Sequence, residues 1–224
     1  MFRHTVLRAD ISLFETKVSV TNLQKFSPRP VQWYANSRPF TEPVHTDAAA
    51  GRRFVYVGHV KSTKGVREII EAGEMIDGNA VIDVFGPFPG DMSEADFYGK
   101  KTRYQGVLQP AEVTTTMRQY DALLLPTYHE GEGYPGVILE AYGAGLPAIT
   151  TRWGAIPEIV DDTCGILIEP GNAVQLAQAM QILMGSPERL AALRQGALAM
   201  ARLFSSQTWT NRFVYLNRDL MEAE

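Results

Sequence analysis

Short apolar runs, separated by polar and glycine-bearing turns, alternate along most of this chain with stretches of three-and-four periodicity. Phe54-Val-Tyr-Val57, Ala80-Val-Ile-Asp-Val-Phe85, Thr102 to Leu108, Asp121 to Leu125, Ala148-Ile-Thr-Thr151 and Gly165-Ile-Leu-Ile168 read as strands. Val66, Ile69, Ile70 and Met75 mark a helix from Gly65 to about Met75, and Pro110 opens another through Arg118. Ile138, Ala141, Tyr142 and Gly145 fall on one side of a third, for which Pro135 suits the first helical position and Gly145 with Pro147 the end. Gly90 to Lys101 is polar and is given no element. Strands apolar on both faces, alternating with helices, predict an α/β domain built on a doubly wound parallel sheet with right-handed crossovers. Its ligand should lie at the carboxyl ends of the strands.

The two ends of the chain read differently. Asn172 caps a helix to about Met184, Ser186-Pro187-Glu188 starts one through Leu203, and Ser205 to Leu220 is a last amphipathic helix carrying Trp209, Phe213 and Leu216. At the other end, Thr5 to Leu13, Thr16 to Phe26 and Val31-Gln-Trp-Tyr34 give a strand, a helix and a strand, too little to bury a core of their own. Phe40 to Gly51, rich in Pro, Thr and Ala, reads as a linker. The expected division is a tail with linker over 1–45, a ligand-binding domain over 46–203 and a crossing helix over 204–224.

Composition narrows the classes. The 224 residues are 45% hydrophobic and 21% charged, enough for a sizeable core, and the formal charge of -4 argues against nucleic acid as a partner. Cys164 stands alone and reads as a small buried residue of a reduced chain. With no apolar run long enough to span a bilayer and no signal-peptide core, the expectation is a soluble, cytoplasmic protein. Four histidines without a ligand spacing, and no Asp-x-Asp pair at a strand end, predict no metal site.

Candidate chemistry concentrates after the fourth sheet strand, in Pro126-Thr-Tyr-His-Glu-Gly-Glu-Gly-Tyr-Pro-Gly-Val-Ile-Leu-Glu140. A strand, a glycine-rich turn and a helix start present backbone N–H groups and a positive dipole end, a ready anion site. Glu132 and Glu140 sit in it with seven residues between them, and Glu130 competes with Glu132 for the first place. The earlier loop Gly58-His-Val-Lys-Ser-Thr-Lys-Gly65 brings Lys64 to another helix start, where a cation invites an anion.

This arrangement resembles the donor-binding signature of the group 1 family of retaining GT-B glycosyltransferases. Tyr34-Ala-Asn36 matches the turn that ends that family's N-terminal acceptor domain, Lys64-Gly65 matches its phosphate-binding pair, and Trp209 matches its final helix, which crosses back to the N-terminal domain. The resemblance therefore covers a whole donor domain and only the tail of its partner. It implies transfer of a sugar from a nucleotide-diphosphate sugar, UDP- or GDP-linked, to a saccharide or lipid-linked acceptor in surface polysaccharide synthesis, with no further cofactor. It places Lys64 and Glu132 at the reacting centre, with Glu132 on the donor sugar and Glu140 on the ribose. The diphosphate falls to Lys64, to His59 and to the amides of Tyr134, Gly136 or Val137; Gly58 and Gly133 also bind the donor, Gly86 and Val107 face the base, and Gly154 lies near the donor. His59 stands where the family has an arginine, and Ala155 where it has a second glycine. A separate acceptor-domain protein and peripheral attachment to a membrane are partners compatible with a lone donor domain. A non-catalytic donor-binding subunit and a nucleotide-sugar isomerase are the competing readings.

Overall fold

The computed structural model describes residues 9–41 and 51–221. Its centre is a six-stranded parallel sheet made of β3 (Arg53–Val57), β4 (Val81–Phe85), β5 (Thr102–Tyr104), β6 (Ala122–Leu125), β7 (Ala148–Thr151) and β8 (Gly165–Ile168). The spatial order is β5-β4-β3-β6-β7-β8, so the chain winds outward from β3 in one direction and from β6 in the other. Val55 pairs with Asp83 on one side and Leu123 on the other. The carboxyl ends of β3 and β6 are therefore the point where the winding reverses, the place where sheets of this class open a crevice for ligands.

Every residue of β6 and β7 is buried; β6 accordingly reads as an unbroken apolar run, and in β7 the hydroxyls of Thr150 and Thr151 donate to the carbonyls of Leu125 and Thr127. Reversal of direction with right-handed crossovers places the connecting helices on opposite faces. Accordingly α2 (Val66–Met75) packs against α5 (Ala173–Gly185), while α4 (Gly136–Gly143) packs against α6 (Pro187–Leu203) and touches the short α3 (Val113–Met117). α4 buries Ile138, Ala141 and Tyr142 of the expected side and Leu139 besides, while Gly145 lies beyond its end. Asn172 caps α5 by accepting from the Gln175 N–H, as read from the sequence.

Local differences have physical causes. Pro135 is the N-cap of α4, with ψ at 117°, rather than its first helical residue. The strand expected over Thr102 to Leu108 stops at Tyr104, because Gly106 takes φ +90° and leaves the sheet. Pro110 opens a 3-10 turn before the short α3, and Gly90 to Lys101 holds another such turn at Glu94–Phe97. Thr5 to Arg8 and nearly all of the expected linker lie outside the described residues.

The tail forms β1 (Ser12–Phe14) and β2 (Val31–Trp33), parallel and joined across α1 (Lys17–Gln24). Several contacts fasten it to the main sheet domain, those of Arg38 with Glu140 and Phe204 among them. Glu158 accepts the N–H groups of Lys17 and Val18 at 2.6 and 3.0 Å, placing a carboxylate at the positive end of α1. Trp33 and Tyr34 then pack edge-on against Trp209 of α7 (Ser206–Met221), with centroids 4.7 and 5.4 Å apart. Trp209, on the final helix, is covered by this tail. Trp209 is buried, whereas Trp33 and Tyr34 are partly covered.

Candidate functional site

A cavity of about 190 Å³ opens at the reversal point between β3 and β6. On the β3 side it is lined by Tyr56, Val57, Gly58, His59 and Lys64, and on the β6 side by Leu125, Glu132, Pro135, Gly136 and Val137. Two loops have to meet for this to form. Gly65, at φ +78°, packs directly on the Pro126 backbone, where a side chain would have no room. Tyr128 N–H then donates to the Thr63 carbonyl at 2.9 Å and locks one loop to the other.

Inside the cavity Lys64 Nζ lies 2.6 Å from Glu132 Oε2, and the two side chains are only 19% and 10% exposed. Thr127, fully buried, donates its hydroxyl to the same Oε2 at 2.8 Å and accepts the His129 N–H at 3.2 Å. Glu130 is exposed, so the geometry turns Glu132 rather than Glu130 inward. Burial, with the Glu132 charge nearby, pushes the Tyr56 hydroxyl well above the usual phenol range, so it stays a donor; it bonds the His59 carbonyl at 2.6 Å. Thr127→Val, which keeps the shape and deletes the hydroxyl, should cost about 1–2 kcal/mol of stability. Urea denaturation reads this directly, and an unchanged midpoint would mean that the hydroxyl does not hold the carboxylate.

The N–H groups of Gly136 and Val137 begin α4, where no carbonyl one turn back exists to accept them. Pro135 has no N–H to offer. A partly buried cation, a carboxylate and a helix start thus converge on one small cleft. That combination can hold a polyanion, with the carboxylate left to accept hydroxyls beside it.

The remaining sequence-predicted residues lie around this cleft rather than in its lining. Gly154, at φ +54°, supports the loop from behind, since a β-carbon there would come within 2.6 Å of the Glu132 carbonyl oxygen. Gly133 packs against the Glu15 carboxylate of the tail. Tyr134 turns its ring away from the cleft into the aromatic cluster and donates to Glu158 Oε2 at 2.6 Å. Burial, and then that bond, push its hydroxyl far up from the ordinary phenol range. Gly86 and Val107 stand at the ends of β4 and β5, beside a cluster in which Phe88 and Tyr104 lie 4.7 Å apart. Tyr104 closes that wall by donating to the Gly86 carbonyl at 3.0 Å.

Glu140 is half-buried, and Arg38 Nε lies 2.9 Å from its Oε1. Sequence reasoning missed Arg38, Thr127 and Glu158. Arg38 meets Glu140 across 102 positions, and no local pattern announces such a pair. Thr127 could have been found: it directly precedes the loop, in a strand extension that is otherwise apolar.

Comparison with known proteins bears on the fold and the family. The curated relatives include a glycogen synthase of Mycobacterium tuberculosis, 27% identical over 185 residues, which cover 79% of this chain and 42% of the relative. This chain thus spans less than half the length of that relative. Among solved structures, the sucrose-phosphate synthase of Thermosynechococcus elongatus superposes with a TM-score of 0.80 at 18% identity, over 100% of this chain and 61% of the other. The Anabaena protein HepE, solved in complex with UDP, gives a TM-score of 0.79 at 16% identity, over 96% of this chain and 66% of its own. The model of the family described as glycosyl transferases group 1 matches residues 51–186, which take in the whole sheet and the cleft, and the chain belongs to that family.

Proposed function

We propose that the cleft binds the nucleotide-diphosphate part of a sugar donor, and that this chain is the donor-binding part of a retaining hexosyltransferase. The observation that carries the reading is the Lys64–Glu132 pair, held inside the cleft beside the start of α4. Without a ligand each group satisfies the other. A donor separates them usefully: its diphosphate takes Lys64 Nζ and the α4 amides, and hydroxyls of its sugar take the Glu132 carboxylate. His59, exposed at the rim, borders the same phosphates. Glu140 accepts the ribose hydroxyls, and the Gly86–Val107 wall meets the base.

When the glycosidic bond to the donor phosphate breaks, negative charge grows on the leaving diphosphate. Lys64 and the α4 start already face that position, so they stabilise the charge without reorganising. The acceptor is a saccharide or a lipid-linked saccharide of surface polysaccharide synthesis. Its binding belongs to residues beyond this chain, or to a separate protein. In favour of the second, Phe213, Val214 and Tyr215 continue α7 past the aromatic cluster and stay 46%, 45% and 63% exposed.

Calorimetric titration with UDP, GDP, ADP and dTDP tests the donor reading. The expected result is binding of one diphosphate well above the others, with UDP the first to try, since HepE is solved with it. Failure of all four to bind overturns the reading.

A further inference from the structure

Arg38 belongs to the tail, yet its backbone is fixed to the far end of the chain. Its N–H donates to the Phe204 carbonyl at 3.1 Å, and the Ser206 N–H donates to its own carbonyl at 2.9 Å. From that anchor the side chain reaches the first turn of α4. Nε lies 2.9 Å from Glu140 Oε1, and Nη1 donates to Asn36 Oδ1 at 2.8 Å and to the Ser37 carbonyl at 3.0 Å. Nη2 is different. It rests against the bare Cα of Gly136, in the space a β-carbon would need, and has no hydrogen-bond acceptor among the described residues.

The open edge of a guanidinium thus faces the start of α4, beside a residue that lines the cleft. A cation in this place is opposed by the helix dipole, and Glu140 offsets only part of that cost. An anion over Gly136 would accept from Nη2 and remove the conflict. Inside the cleft, meanwhile, Lys64 is the one permanent cation among the lining residues, and it is engaged with Glu132. A diphosphate carries more charge than one lysine balances.

We infer that Arg38 is a second phosphate-binding cation of this site, supplied by the tail from the opposite wall, while its Nε bond keeps Glu140 turned towards the ribose. The inference rests on the donor-site reading above. Guanidinium donors are well suited to phosphate oxygens, and a rigidly anchored one loses little freedom on binding.

The test is UDP affinity of the full chain carrying Arg38→Gln, in the native background and in a Glu140→Gln background. Direct contact predicts a loss of roughly ten- to a hundredfold in both backgrounds, partly restored by Arg38→Lys. If Arg38 only orients Glu140, the loss vanishes once Glu140 is already replaced, and the inference is wrong. If Arg38 merely plugs the site, Arg38→Gln binds UDP more tightly, which also overturns it. Lys64→Ala separates the two levels of argument. Binding of the preferred diphosphate, UDP first, that depends on Lys64 but not on Arg38 removes this inference alone, whereas failure of the native chain to bind UDP, GDP, ADP or dTDP removes the donor reading with it.

Discussion

Lys64→Ala should weaken binding of the preferred nucleoside diphosphate by roughly thirty- to a hundredfold, about 2–3 kcal/mol. The size follows from two effects of one sign. The variant loses a charged donor to the phosphates, and it leaves Glu132, 10% exposed, as an uncompensated anion in the cleft that must receive them. The second effect can be separated from the first. Adding Glu132→Gln to Lys64→Ala removes the repulsion while leaving the lost contact, so the double variant should bind several-fold better than Lys64→Ala alone. Such a recovery in a double-mutant cycle identifies a coupled pair. Equal affinity for the single and double variants would show that Glu132 does not face the ligand.

The largest effect on the fold is expected at Asp121, at the entry to β6. Its Oδ2 accepts the N–H groups of Arg52 and Arg53 at 2.7 and 3.0 Å, and its Oδ1 pairs with Arg194 Nη2 of α6 at 3.0 Å. The side chain is 5% exposed and that of Arg194 22%. One carboxylate thus joins β3, β6 and a helix, and burial already presses the Arg194 charge downward. Asp121→Ala strands both backbone donors and a desolvated guanidinium. The expected loss is about 3 kcal/mol, or roughly 6–12 °C in melting temperature for a chain of this size. Asp121→Asn keeps one acceptor and should fall between. A melting temperature within about 2 °C of the native value would mean that water reaches these groups freely.

Much of the main domain was legible because its signals are local and repeated. Buried strands such as Ala122–Leu125 show as short apolar runs, and α4 shows its inward side through Ile138, Ala141 and Tyr142. Proline and glycine punctuate the loops, although Pro135 turned out to cap its helix and Gly106 to end its strand early. Within the cleft, the strand, loop and helix pattern pointed to the α4 start, and the resemblance to the group 1 signature singled out Glu132 and Lys64, because each belongs to a contiguous motif. What stayed hidden was pairing at long range. The sequence shows no reason for Lys64 to find Glu132 across 68 positions, or Arg38 to find Glu140 across 102. Those contacts depend on sheet order and on where the tail docks, and neither is written in a local pattern. Tyr134 makes the same point: the sequence offered its amide to the ligand, and gave no sign that its ring would pack edge-on against Phe204, 70 positions away.

The most direct measurement is a crystal structure of the chain with the bound nucleoside diphosphate. The account predicts the diphosphate over Gly136 and Val137, within hydrogen-bond reach of Lys64 Nζ, the ribose on Glu140, and the Lys64–Glu132 pair of 2.6 Å parted. A nucleotide bound elsewhere, for instance in the hollow lined by Arg152, Asp161 and Arg189 beside β8, with Lys64 still paired to Glu132, would contradict it.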